Sequence, residues 1–319
     1  MENSSRLLER HYASLASRHV MVVGADDRAQ WQLPSASLTV HCDDAALAGD
    51  AAGMLPPVAP DTDLLIVILP KSREQLAFWL AALQGQLQRD TELWLLGPAS
   101  GGVRGGVSEL RKRGLAVTQL DSARHCKLFS SCLSPAPFTL ADWERCWSVD
   151  GLSLVSYPGV FSHGRADAGT DLLLQALANE SLTGRALDIG CGAGVISAWL
   201  ARRGLQVSAT DVSATAVAAT RATLERNGLS ARVVCGDLYQ QVTGRYELLV
   251  TNPPFHDGTR QTTEISRRLI TSAPAMLAPA GQLWLVANQG LPYGDWLRSA
   301  FKSVSVAREN RQFRVWHCR

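Results

Sequence analysis

Residues 187–194 read Leu187-Asp188-Ile189-Gly190-Cys191-Gly192-Ala193-Gly194, three glycines in five positions between an apolar run and a helix-patterned segment. Glycine lets a backbone turn tightly and come close to a ligand. A helix starting at Val195 would aim its N-terminal dipole at a negative group such as a carboxylate. Strand, glycine turn and helix in that order form one step of an open α/β sheet. Such sheets bind ligands outside the carboxyl ends of their strands. A dinucleotide fingerprint needs G-x-G-x-x-G; Gly190 and Gly192 fit, but position 195 is Val. The plain alternative is a tight turn that holds no ligand.

The neighbouring residues continue the pattern. Thr170–Ala178 reads as a short helix, Arg185–Asp188 as a strand, and Val195–Arg203 as a helix closed by Gly204. Gln206–Thr210 is a strand ending at Asp211, and Ser213 caps a helix over Ala214–Asn227 that Gly228 stops. Arg232–Cys235, Glu247–Thr251 and Gln282–Ala287 are strands, with a helix through Ile265–Leu277 despite Pro274. Val304–Arg308 and Phe313–Cys318 flank a turn and are expected as an antiparallel hairpin on the sheet edge.

The first half repeats the rhythm more faintly. Val20–Gly24, Leu38–Cys42, Leu64–Pro70 and Leu93–Gly97 read as strands, and Glu74–Leu87 has helical spacing. The strand ending at Gly24 matches the one ending near Gly190, Asp43 matches Asp211, and Asp63–Pro70 (DLLIVILP) matches Glu247–Pro254 (ELLVTNPP). This predicts a duplicated fold with one degenerate copy; two unrelated α/β domains are the alternative. Pro135, Pro137, Gly151 and Pro158 mark a boundary near residue 150, giving domains 1–150 and 151–319.

Composition agrees. The 319 residues are 46% hydrophobic and 19% charged, enough for about two globular domains and too ordered for a disordered or collagen-like chain. Apolar runs stay far below the ~20 residues of a membrane span, and Met1–His11 carries no apolar leader, so no membrane or secretory role is expected. Seven cysteines without C-x-x-C spacing point to a reducing cytoplasm, with neither disulfide framework nor metal site. Residues 1–150 hold 14 Lys+Arg against 17 Asp+Glu, while 151–319 hold 17 against 12, so the second half is the one suited to a polyanion. Only four of the 31 basic residues are Lys, which suits phosphate forks but equally reflects a GC-rich genome.

The chemistry-bearing residues sit at strand ends. Asp211, with the glycine loop upstream, can accept both hydroxyls of a ribose; otherwise it is a helix cap. Asp237, after Cys235-Gly236, can accept from an adenine amine, or form a turn. In Asn252-Pro253-Pro254-Phe255 the prolines remove two backbone donors. An exocyclic amine has two hydrogens, and the Asn252 side-chain oxygen and Pro253 carbonyl can accept both. Phe255 can stack on a flat ring for about 1–3 kcal/mol. A rigid turn with a core Phe is the alternative.

Asp188–Gly194, Asp211, Asp237 and Asn252–Phe255 resemble the successive motifs of class I S-adenosylmethionine-dependent methyltransferases acting on exocyclic or amide nitrogens. Pro158–Ser162, Asp167–Thr170 and Phe255–Gly258 narrow the resemblance to the ribosomal RNA small subunit methyltransferase C family, over nearly the whole chain. That resemblance implies two tandem Rossmann-like folds, the first degenerate and the second a mostly parallel sheet with an antiparallel edge hairpin. It implies methylation of a guanine N2 amine in 16S rRNA, with 16S rRNA or the small subunit as partner. It also implies roles: Asp188, Gly190 and Gly192 at the methionine end of the cofactor, Asp211 on the ribose, Asp237 on the adenine amine, Asn252, Pro253 and Phe255 on the guanine, and Asp167 and Gly169 closing over the cofactor. Rival readings are another planar nitrogen (a large-subunit guanine, adenine N6 or protein glutamine) and a non-catalytic RNA-binding assembly protein. The oligomeric state is not legible; a monomer is the expectation.

The first half departs from the pattern. Gly24-Ala25-Asp26-Asp27-Arg28 replaces the glycine loop, and Ile68-Leu69 replaces Asn252-Pro253, so no cofactor is expected there. Lys71, Arg73, Arg111, Lys112 and Arg113 could hold RNA or form a solvated face. His163 and His256 flank the site without metal-ligand spacing and read as hydrogen-bonded loop histidines. Arg308, Arg311 and Arg314 could touch phosphates or solvate the edge hairpin.

Overall fold

In a computed structural model, which describes residues 1–253, 260–290 and 292–319, apolar runs become strands and the chain divides into two units, Met1–Glu144 and Arg145–Arg319. The first unit holds His19–Val23 (β1), Ser37–His41 (β2), Leu64–Ile68 (β3), Thr91–Pro98 (β4), Thr118–Ala123 (β5) and Cys126–Leu133 (β6). They form one sheet in the order β2-β1-β3-β4-β6-β5. All five side chains of β3 are buried, as expected for a parallel strand covered on both faces. The hairpin β5–β6, antiparallel to β4 through β6, was not anticipated: β5 (TQLDSA) is mostly exposed and lacks apolar alternation.

The second unit opens with a hairpin, Arg145–Val149 (β7) and Leu152–Ser156 (β8). The division therefore falls before the expected residue 150. The Asn227 side chain accepts from Ser153 N–H at 2.9 Å and donates to Ser153 C=O at 2.7 Å, and Val155 N–H donates to Thr223 Oγ1 at 2.9 Å. These bonds pin β8 to the helix Ala214–Arg226.

The main sheet contains Arg185–Ile189 (β9), Gln206–Asp211 (β10), Arg232–Cys235 (β11), Tyr246–Thr251 (β12), Leu277–Asn288 (β13), Val304–Glu309 (β14) and Phe313–Cys318 (β15). Their order is β11-β10-β9-β12-β13-β15-β14. The first five are parallel; β15 pairs antiparallel with both β13 and β14, and β14 is the edge. Removing β11 leaves the order of the first unit's sheet, which is the expected duplication with one outer strand fewer. Pro274 lies inside the helix Arg260–Met276, and the helix Tyr293–Ala300 went unread.

Register aligns the two copies residue by residue. Val23 pairs with His41 as Ile189 pairs with Thr210. One step on, Gly24 takes the place of Gly190, and Cys42, rather than Asp43, takes the place of Asp211. Val23 also pairs with Val67 as Ile189 pairs with Thr251, so Ile68 and Leu69 do stand where Asn252 and Pro253 stand.

Candidate active site

Asp188 and the glycine loop, Asp211, and Asn252 with Pro253 sit at the adjacent ends of β9, β10 and β12. Gly190 leaves β9 with φ +75° and Gly192 follows with φ +55°, a region that side chains disfavour. A Cβ placed on either would meet no atom within 4 Å, so the loop faces open space. Gly194 differs: its Cβ would lie 3.0 Å from Thr220 Cα, so it serves close packing of the helix Val195–Arg202 against the helix Ala214–Arg226.

Asp188 lies in β9 and is fully buried. Its Oδ2 accepts from Ser197 Oγ at 2.5 Å, while Oδ1 has no partner among the described residues. Burial pushes the carboxyl up to about 7; the Ser197 hydrogen bond opposes this and nearby Asp211 adds to it. Cys191 is buried beside both carboxylates, which raises its thiol well above the ordinary value, chiefly by burial.

Asp211, expected to face a ribose, is tied to backbone. Oδ2 accepts from Gly192 N–H and Oδ1 from Ser213 N–H, each at 2.9 Å. A carboxylate offers about four acceptor sites, so these ties set its orientation. Asp237 carries a partner that the sequence reading missed: Arg268 Nη2, 2.8 Å from Oδ2, from the helix Arg260–Met276.

Asn252 follows β12. Its Nδ2 donates to Asp167 Oδ2 at 2.7 Å and to Thr170 Oγ1 at 2.8 Å. Its Oδ1 is buried and lacks a partner among the described residues. Pro253 is buried beside it. Asp167 caps the helix Ala168–Leu177, accepting from Thr170 N–H at 2.7 Å. Gly169 has a packing reason, since a Cβ there would meet Asp167 Oδ2 at 3.1 Å and Phe313 Cε1 at 3.3 Å. Pro254, Phe255 and His256 lie outside the described residues. Thr170, Ser197 and Arg268 are the side chains that the sequence reading did not assign; Thr170 closes the quoted Asp167–Thr170 stretch, whereas no local signal marks Ser197 or Arg268.

An open glycine cradle beside two buried side-chain oxygens that lack partners among the described residues fits a ligand that brings its own donors. Among the described residues no group of three or more His, Cys, Asp and Glu could hold a metal. The peripheral candidates divide. His163 Nδ1 is hydrogen-bonded to Ser156 Oγ. Arg314 pairs with Glu309 at 2.8 Å, while Arg308 and Arg311 are exposed. In the first unit Arg113 does not belong to an open basic face. Its guanidinium donates to Glu109 Oε1, Gln84 Oε1 and the Ala77 carbonyl.

Residues 151–317 match the Methyltransferase small domain family, and residues 5–146 match its N-terminal counterpart, Methyltransferase small domain N-terminal. Ribosomal RNA small subunit methyltransferase C of Alcanivorax borkumensis is 48% identical over 99% of this chain and 98% of its own length. The protein of the same name from Yersinia pestis is 35% identical over 98% and 94%. A T. thermophilus 16S rRNA N2 methyltransferase, solved with AdoMet and guanosine, is 24% identical, with TM-score 0.81 over 94% of this chain and 87% of that one. It shares the fold of both units. With relatives this similar over nearly its full length, the chain belongs to the ribosomal RNA small subunit methyltransferase C family.

Proposed function

We propose that the chain methylates the exocyclic N2 amine of a guanine in 16S ribosomal RNA, using S-adenosylmethionine. The observation that carries this reading is the Asn252 oxygen, a buried acceptor without a partner among the described residues, beside an open glycine loop. The family relationship supplies the nucleic acid.

When bound, S-adenosylmethionine supplies an electrophilic methyl group on a sulfonium. Gly190 and Gly192 admit its methionine end, beside Asp188. Asp211 accepts from the ribose, and Asp237, oriented by Arg268, accepts from the adenine amine. Gly169 closes the site from the N-terminal side, on the helix that Asp167 caps. Asn252 Oδ1 and the Pro253 carbonyl accept the two hydrogens of the guanine amine, and Phe255 stacks on the base.

A guanine amine is a poor nucleophile because its lone pair is delocalised into the ring. Two acceptors on its hydrogens hold the nitrogen still and leave the lone pair facing the donor. Asn252 is neutral and acts as an orienting acceptor; the proton that the nitrogen sheds becomes strongly acidic once the methyl is on and passes to water, so no strong base is required. Alignment and exclusion of water contribute up to roughly 7–11 kcal/mol in well-oriented reactions. A stacked base must first leave its helix, at a cost of about a few kcal/mol.

The first unit is proposed to bind no cofactor. A Cβ on Gly24 would lie 2.4 Å from Trp79 Cζ3, so the indole fills the space that is open at Gly190. Buried His41 packs edge-on against that indole at 5.2 Å. Lys71, Arg73, Arg111 and Lys112 remain exposed there and are proposed to meet RNA. The work is proposed to be cytoplasmic, a reading that a ribosomal RNA substrate supports. Among the described residues no helix is long and apolar enough to cross a membrane.

The test is label transfer. Small subunits from cells lacking the protein are incubated with methyl-tritiated cofactor, and the 16S rRNA is digested and chromatographed. Label should co-migrate with N2-methylguanosine. Label on adenine N6, on large-subunit rRNA or only on protein would replace this reading with another planar nitrogen.

A further inference from the structure

The Asn252 amide can face the substrate with either end. If its NH2 pointed into the site, it would repel an amine and attract a carbonyl. The structure leaves no such choice, because an ionised carboxylate has acceptors only. Asp167 Oδ2, 2.7 Å from Asn252 Nδ2, must face the NH2 end of the amide. A flipped amide would set Oδ1 against that carboxylate. Thr170 Oγ1, 2.8 Å away, takes the amide's other hydrogen. The same Asp167 oxygen accepts from Thr170 N–H, so the helix start holds the carboxylate in turn. Asn252 Oδ1 is thereby the end left over, buried and without a partner among the described residues.

We propose that Asp167 and Thr170 are positioning residues that lock the Asn252 amide acceptor-outward and so tune the site to amino-bearing bases. This rests on the guanine-N2 reading and gives Asp167 a task apart from cofactor contact. The lock acts on the methyl-transfer step and leaves cofactor affinity alone.

The experiment compares Asp167→Ser, Asp167→Asn, Thr170→Val and Thr170→Ser in the full chain. Serine at 167 keeps a helix cap but is too short to hold the amide; asparagine keeps an oxygen for both bonds. Single-turnover rates on undermethylated small subunits, cofactor affinity by calorimetry and melting temperatures are measured together. Asp167→Ser should slow methyl transfer by about 10- to 100-fold with cofactor affinity held, and Asp167→Asn should recover most of that loss. Thr170→Val should slow it less, with Thr170→Ser restoring it. Wild-type transfer rates in Asp167→Ser or Thr170→Val would overturn the proposal. So would a fall in cofactor affinity that matches the fall in rate, which would make Asp167 a cofactor ligand. If Asp167→Ser fails to fold, the Thr170 pair decides by the same criteria. A wild-type enzyme that places no methyl on guanine N2 overturns the functional reading, and the lock with it.

Discussion

The backbone N–H of Gly192 donates to Asp211 Oδ2 across 2.9 Å. The tip of the glycine loop on β9 is thus tied to the carboxylate that ends β10. Gly190 and Cys191 add to this by donating to the Thr210 carbonyl at 2.8 and 3.1 Å. The loop and the proposed ribose acceptor form one rigid rim, so damage to either should be felt by both ends of the cofactor.

Asn252 and Asp211 should separate chemistry from binding. Asp211→Ala removes a charged acceptor and a loop tie, and should weaken cofactor binding by about 2 kcal/mol or more. Asn252→Ala should lower methyl transfer by about a hundredfold or more while calorimetry finds the cofactor bound nearly as before. Wild-type rates in both variants would show that the site is misassigned.

Gly192 and Gly194 look alike in sequence and should fail differently. Gly192→Ala puts a methyl into open space at φ +55°, costing roughly 1–2 kcal/mol of backbone strain, and should block the cofactor in a protein that still melts cooperatively. Gly194→Ala drives a methyl to 3.0 Å from Thr220 Cα and should lower the melting temperature further, as overpacking costs about 1–3 kcal/mol. Equal melting temperatures and equal cofactor affinities in the pair would contradict this division.

Asp188 should leave a signature in the pH dependence of stability. Burial raises its pKa from 3.8 to about 7. Between those values the folded protein keeps a proton that the unfolded chain has released, so this contribution is full in acid and is lost as pH rises. From pH 5 to pH 8 the loss is on the order of 2–3 kcal/mol. Asp188→Asn lacks the titration. Urea unfolding at the two pH values should show the variant gaining on wild type by that amount, and parallel behaviour would remove Asp188 as the titrating group.

Calorimetric titration should saturate with a single cofactor per chain, and Asp211→Ala should abolish or weaken that one event. A second, independent event surviving in the variant would restore a cofactor site to the first unit. Gly24→Ala, which meets the Trp79 ring at 2.4 Å, should destabilise the chain without changing the stoichiometry.

The sheet centres were legible because parallel strands buried on both faces are continuous apolar runs: Leu64–Ile68 and Tyr246–Thr251 are nearly all buried. The hairpins β5–β6 and β7–β8 gave no such signal. The strand Arg145–Val149 (RCWSV) has no buried residue, and its pairing with Leu152–Ser156 is a tertiary fact that moves the division between the units. In the site, Asn252 and the glycines could be named from their chemistry, since few residues can accept from an amine or turn at positive φ. The contacts between them and their neighbours could not: Asp167 reaches Asn252 across 85 positions, and Arg268 reaches Asp237 across 31. Motif order says which residues converge on the rim, but it does not say which of them hold each other.

The first unit's sheet lacks a counterpart of β11. In the second unit that strand leads to Asp237, the proposed adenine acceptor. A glycine turn restored in the first unit would therefore still lack a strand to carry an acceptor in the position that Asp237 holds in the second.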